Sequence, residues 1–230
     1  MGQHFLPGTP PVAITLRKTA QARRISLRIS RLDGRVTLTC PLRTSDREAL
    51  AFAHEKADWL RRHLNDQPAP VGIEINSELL FEGRLLRIAS GSGRLVRAEG
   101  ELLLVPGTPE RAAARIAGFL KQTARDRLAA ASDHYATQLG RPYARLTLRD
   151  TRSRWGSCTA DGGLMYSWRL IMAPPEVLNY VAAHEVAHLA EMNHSDAFWQ
   201  VVRDLYGDYR APRRWLREKG GDLHRYRFGA

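Results

Sequence analysis

Residues 184–188 read His-Glu-Val-Ala-His, inside an apolar stretch of Val181, Ala182, Ala183, Val186, Ala187 and Leu189 that follows Pro174-Pro175. On a helix, positions i and i+4 share a face one turn apart, so the His184 and His188 imidazoles can converge on one metal ion. Glu185 is rotated by about 100° from that axis, beside the pair, where it suits proton transfer from water better than ligation. At this chain's His and Glu frequencies the pattern arises by chance roughly once in 70 such chains, and adding His194 at its spacing lowers that to roughly one in 2,000. Unpaired polar groups are costly to bury, and a metal accounts for their presence in this apolar stretch.

A catalytic zinc site takes three protein ligands and keeps one position open, so a third ligand is expected. His194 is the first candidate, with Asp208 and Glu218 as downstream acidic competitors. For His194 to reach the pair, the helix must stop before it. A helix from Pro175 to about Met192, with Asn193 as a left-handed terminator and Ser195 capping the next helix, meets that need. The spacing matches that of metzincin proteases, although Glu191 stands where they have a glycine. The expectation is one Zn²⁺ per chain.

The rest of the chain reads as α+β. The first dozen residues, with Pro7, Gly8, Pro10 and Pro11, look like an irregular lead-in. Ile25, Leu27, Ile29 and then Val36, Leu38, Cys40 alternate around Asp33-Gly34, which suits a two-residue hairpin pairing Ile29 with Leu38 and Leu27 with Cys40. Thr44 or Ser45 caps a helix with its stripe on Leu50, Phe52, Ala53, Ala57, Leu60 and Leu64, ended by Pro68-Ala-Pro70. Short strands follow at 79–81, 85–88, 95–96 and 102–105. Gly91-Ser92-Gly93 lacks the Lys-Ser/Thr and helix of a phosphate loop. Pro106-Gly-Thr-Pro109 opens a long helix to about Leu139 and gives the expected boundary between an N-terminal β-rich region, 1–108, and a metallohydrolase region, 109–230. Strands are expected at 145–149, 152–158 and 164–170, and a last helix carries Phe198, Val202 and Leu205 inward.

Lys and Arg exceed Asp and Glu by 35 to 24, a net +11 concentrated toward the two ends of the chain. Such a field attracts anions, and weak, sequence-independent nucleic-acid binding is the corresponding expectation. Cys40 and Cys158 form no Cys-x-x-Cys pair, so both read as small buried hydrophobes rather than a disulfide or a zinc knuckle. No apolar run approaches a membrane span, and the start lacks a secretory pattern, which makes the cytoplasm the default expectation. Oligomeric state leaves no mark in the sequence.

Arg154-Trp155-Gly156-Ser157-Cys158, Trp168-Arg169-Leu170-Ile171, Pro174-Pro175, Asn179-Tyr180-Val181, the His184–Leu189 run, Asn193-His194-Ser195 and Phe198-Trp199 resemble the YgjP-like metallopeptidase family. That family is similar to the SprT-like and WLM zinc proteases. Arg24–Ile29 and Lys56–Trp59 also resemble its N-terminal region. The resemblance implies a zincin-like core, ligands at His184, His188 and His194, and Glu185 as base; it leaves the substrate open, and a peptide or protein is the leading expectation. The edge of the strand expected at 152–158, or of that at 164–170, would take an extended peptide. Arg154, Trp155, Trp168 and Arg169 are candidate substrate-binding residues. Tyr206, Tyr209, His224 and Tyr226 are candidate donors to a developing oxyanion. Two other functions compete: hydrolysis of nucleotide phosphate anhydrides at the same site, and a nucleic-acid-binding module with a vestigial metal site.

Overall fold

The computed structural model describes residues 2–30, 34–65 and 69–229. The chain is α+β and divides into two compact units, Met1–Ala69 and Pro70–Ala230.

In the first unit, strands β1 (Gly2–Leu6), β2 (Val12–Lys18), β3 (Ser26–Ile29) and β4 (Val36–Cys40) form a sheet in the order β1-β2-β4-β3. The supposed lead-in is therefore a strand pair, because Leu6, Val12, Ile14 and Leu16 bury their side chains in the core of this unit. The β3–β4 hairpin pairs Leu27 with Leu38 and Ile29 with Val36, two residues out of the expected register. The Ser30 amide donates to the Arg35 carbonyl at 2.9 Å, which closes a loop longer than two residues; Asp33 lies outside the described residues. A two-residue slip leaves every side chain on its face, so the apolar alternation could not distinguish the registers. Helices α1 (Asp46–Glu55) and α2 (Ala57–Asn65) take the place of one expected helix, with Ser45 accepting the Glu48 amide at its start. Pro68, the expected helix stop, is also outside the described residues.

The second unit begins with β5 (Val71–Gly72), followed by a sheet of β6 (Glu78–Phe81), β7 (Arg84–Gly91), β8 (Arg97–Glu99) and β9 (Leu102–Pro106) in the order β6-β7-β9-β8. Leu95 is exposed, and the strand expected at 95–96 starts instead at Arg97. Helix α3 (Ala112–Leu139) ends on Gly140, whose φ of 71° gives the left-handed cap. Strands β10 (Arg145–Arg149), β11 (Gly156–Cys158) and β12 (Gly163–Ser167) form a second sheet, ordered β10-β12-β11, which places β11 at an edge. The strand expected at 152–158 is confined to its last three residues. The one expected to reach Leu170 gives way to a 3₁₀ turn over Trp168–Met172, all of it buried. Periodicity cannot separate a short, wholly buried apolar run in a strand from the same run in a turn. Helices α4 (Pro175–Ala187), α5 (Asp196–Tyr206) and α6 (Arg210–Lys219) follow, and β13 (Tyr226–Arg227) closes the chain.

The boundary expected at residue 108 is thus displaced to 69/70, for identifiable reasons. The β6–β7 turn docks on the 3₁₀ segment, with the Glu82 and Gly83 amides donating to the Ile171 and Met172 carbonyls at 2.8 and 3.2 Å. Gly83, at φ 77°, lies so close to Pro174 that a Cβ would fall 2.9 Å from its Cα. β13 pairs in parallel with β5, and Leu79, Phe81, Leu86, Ile88 and Leu103 share one core with α3 and α4. Among the described residues, no helix is long and apolar enough to cross a membrane.

Candidate metal centre

Helix α4 opens on Pro175 and is buried nearly all round, with Val177, Leu178, Val181, Ala182, Ala183, Val186 and Ala187 in the core. A helix so enclosed has little room for polar groups except where they meet one another. His184 and His188 lie one turn apart with ring centroids 5.1 Å from each other. α4 ends earlier than expected, with His188 as its C-cap. The last turn is closed by the Leu189 amide on the Val186 carbonyl at 2.9 Å and by the Ala190 and Glu191 amides on the Ala187 carbonyl at 3.0 Å. Just beyond it Arg141 Nη1 donates to the Leu189 carbonyl at 2.7 Å, and His188 Nδ1 donates to the Glu191 carbonyl at 2.9 Å. Asn193 is not left-handed; the only non-glycine residues with positive φ among those described are Asn76 and Glu82. The chain then returns through His194, and Ser195 caps α5 by accepting the Phe198 amide.

This return sets the His194 ring 5.1 Å from that of His184 and 4.8 Å from that of His188. One ring nitrogen from each of the three lies within 4.8 Å of the others, and among the described residues this is the His, Cys, Asp and Glu group close enough to share an ion. Phe198 packs against all three rings, stacking on His188 at 4.4 Å. Trp199 walls the site at 5.6 Å from His184 and 5.9 Å from His194.

The donor set suits a divalent cation such as zinc. The bond to Glu191 fixes the His188 tautomer and leaves Nε2 as the free ligand atom. His184 and His194 bring their Nε2 atoms to 3.1 Å; two ligands on one tetrahedral zinc, each about 2.05 Å away, stand roughly 3.3 Å apart. Nδ1 of His184 is buried without a partner. Burial, reinforced by His188, His194 and Arg213, pushes the His184 pKa down to about 3, and burial also lowers that of His188. Both stay neutral, the form that binds metal.

Glu185 is buried, and burial pushes its pKa up to about 8, with Arg154 opposing the shift. Its carboxylate lies against Gly156 on β11: a Cβ there would stand 2.5 Å from Oε1 and 2.7 Å from Cδ. The Arg154–Cys158 run marks the neighbourhood in sequence, but nothing local to it shows that position 156 must lack a side chain. Nor do local patterns reveal Phe198 as the floor of the site rather than ordinary core.

The other sequence candidates separate. Asp208 accepts two hydrogen bonds from the Arg210 guanidinium, at 2.8 and 2.9 Å, and one from its amide at 3.0 Å, and neither it nor Glu218 joins the three histidines. Arg169 is taken out of substrate binding by its partners. Its fork holds Asp150 at 2.6 and 3.1 Å and also donates to the Leu223 and Tyr226 carbonyls, at 2.9 and 3.2 Å, so it ties down the C-terminal segment. Trp168 is buried beneath it. Trp155 is half-buried against His224, with ring centroids 5.2 Å apart, while Arg154 remains exposed. Among the candidate oxyanion donors, Tyr206 donates to the Glu176 carbonyl. His224 and Tyr226 belong to the C-terminal segment that Arg169 holds. Tyr209 stacks on Trp199 and Tyr180, and Trp199 in turn borders His184. A cavity of about 560 Å³ opens beside His188, lined in part by Pro142, Ala144, Leu189 and Met192.

The model of the YgjP-like metallopeptidase domain matches residues 23–219. The chain belongs to the YgjP-like metallopeptidase family. No match was found among curated proteins. Among solved structures, the metallopeptidase zymogen of Pyrococcus abyssi abylysin is similar at 20% identity and a TM-score of 0.36, over 40% of this chain and 95% of that one. A likeness at that level carries no argument. In this YgjP-like chain the family match and the three-histidine cluster agree on a metal-dependent peptidase.

Proposed function

We propose that this chain is a zinc-dependent peptidase in which His184, His188 and His194 hold one ion and Glu185 is the general base. The observation that carries this reading is the convergence of three imidazoles within 4.8 Å of one another, with a buried carboxyl group on the adjacent residue. A divalent ion held there supplies Lewis acidity and lowers the pKa of water. Glu185 takes the proton of the attacking water and returns it to the leaving amine. Burial alone favours its acid form; positive charge beside it restores the carboxylate that a base requires. The outer edge of β11 is unpaired within its sheet. An extended peptide adding there as a strand lies next to Gly156 and therefore next to Glu185.

The test combines metal analysis with a parallel screen of mixed peptides and nucleoside triphosphates. The wild type should carry about one zinc and cleave peptides, and His194→Ala should lose most of the metal. Glu185→Gln should keep metal and fold while turnover falls by about 10²–10⁴-fold. Nucleotide turnover without peptide cleavage would assign the site to phosphate-anhydride hydrolysis. Zinc binding without any turnover would leave a binding module with a vestigial site. Near-wild-type turnover by Glu185→Gln would remove that residue from the mechanism.

A further inference from the structure

Helix α6 packs on the core through Pro212, Trp215 and Leu216 and exposes Arg210, Arg213, Arg214 and Arg217. Two of these arginines have acids of their own: Arg210 is bonded to Asp208, and Arg217 lies 3.8 Å from Glu218. Among the described residues, no carboxylate pairs with Arg213 or Arg214. Arg213 differs from Arg214 in its position. Its guanidinium carbon lies over the Trp199 ring, 4.6 Å from the centroid, and Trp199 is the wall that borders His184 and His194. The Tyr209 ring, one helical turn before Arg213, stacks on the same indole at 5.0 Å.

Stacking on an indole holds a guanidinium flat and partly desolvated, while its in-plane N–H donors remain free to grip a planar anion. Three other charged groups of this unit have partners of their own, whereas Arg154, whose charge acts on Glu185, is exposed as Arg213 is. Arg141 donates to the Leu189 carbonyl, Asp161 is paired with Arg145, and Arg169 is held by Asp150. An exposed arginine held over an aromatic ring beside a hydrolytic centre, with no acid of its own, is arranged to receive one from a ligand. The fork geometry favours a carboxylate bound through two parallel hydrogen bonds.

We propose that Arg213, seated on Trp199, binds a carboxylate of the peptide substrate and gives the enzyme a preference for an acidic side chain or a free C-terminus near the scissile bond. This rests on the peptidase reading above. It makes part of the chain's net positive charge a specificity element rather than a general solvated surface.

The experiment uses the zinc-loaded full chain on a mixed-sequence peptide library, followed by matched fluorogenic peptides. These differ only as Glu against Gln near the cut, or as C-terminal acid against amide, so the two sources of the carboxylate are read separately. The wild type should favour the charged member of one pair by on the order of tenfold in kcat/KM, the scale of a charge-assisted hydrogen bond. Arg213→Gln should bring that ratio to about one with zinc content and Tm unchanged. Arg213→Glu should shift preference toward a Lys peptide, while Arg217→Gln, the same charge change elsewhere on α6, should keep the wild-type ratio. A wild-type ratio near one for both pairs, or a ratio that survives Arg213→Gln, overturns the proposal. If the loaded chain cleaves no peptide at all, the peptidase reading fails instead, and this assignment falls with it.

Discussion

At residue 156 a side chain and the carboxylate of Glu185 would compete for the same space, since an added Cβ would stand 2.5–2.7 Å from Oε1, Cγ and Cδ. Glu185 is buried, so relief must come by displacing the carboxylate rather than by letting it swing into open solvent. Gly156→Ala is therefore expected to keep the metal, since the nearest atoms an added Cβ meets all belong to Glu185, and to lose turnover. A displacement of about 1 Å at a reacting group can cost on the order of 10²-fold in rate. Metal analysis and single-turnover kinetics of Gly156→Ala check this, and unchanged kcat would show that Glu185 has room the structure does not suggest. The closeness of His184 and His188, with Glu185 between them, is legible in sequence because helical geometry alone places them. The glycine is not, because its reason lies on another element.

At the scale of elements, the segment after α6 is held by Arg169, Asp150 and the packing of His224 on Trp155. Burial pushes the His224 pKa down to about 4; Arg169, Arg152 and Arg227 push the same way, and Asp150 opposes them. An unfolded histidine titrates near 6.5. Between those values the unfolded chain takes up a proton that the folded chain refuses. Stability present at pH 7 should therefore fall as the pH drops from about 6.5 through 4, by up to roughly 3 kcal/mol from this residue. Denaturant unfolding of wild type and His224→Phe at pH 7 and pH 5 isolates the contribution. Equal losses in the two proteins would show that His224 titrates normally in the fold. Sequence showed Trp168 and Arg169 as a motif and suggested a substrate-facing role. Asp150, 19 residues earlier in the chain, and two carbonyls more than 50 residues later decide otherwise.

For the whole molecule, the three histidines and Glu185 all lie in the unit Pro70–Ala230. A fragment of residues 70–230 is expected to fold and bind zinc. A fragment of residues 109–230 should do neither, because it loses β5, the β6–β9 sheet and the core residues between Ile73 and Val105. Circular dichroism and metal analysis of the two fragments compare the boundaries at 69/70 and 108/109 directly; a folded, zinc-binding 109–230 would favour the latter. The net charge of +11 predicts weak nucleic-acid binding whose affinity falls by about tenfold or more between low and physiological salt. Titrations with labelled DNA at both ionic strengths check it, and binding indifferent to salt would exclude counterion release as its cause. The sequence by itself determined what a few neighbouring residues decide: the His184–His188 spacing, a cap at Thr44 or Ser45, the Ser195 cap, the end of α3 near Leu139 and the apolar stripes. These depend on helical geometry and on side chains within about one turn of the backbone groups they satisfy. Only the tertiary structure decided the end of α4, the hairpin register, the seat of Glu185 on Gly156 and the division at residue 70. The end of α4, the seat of Glu185 and the division depend on partners distant along the chain, such as Arg141 for Leu189 or β13 for β5, and local sequence patterns carry no record of which distant group arrives; the hairpin register turns instead on a loop length that the alternation does not record.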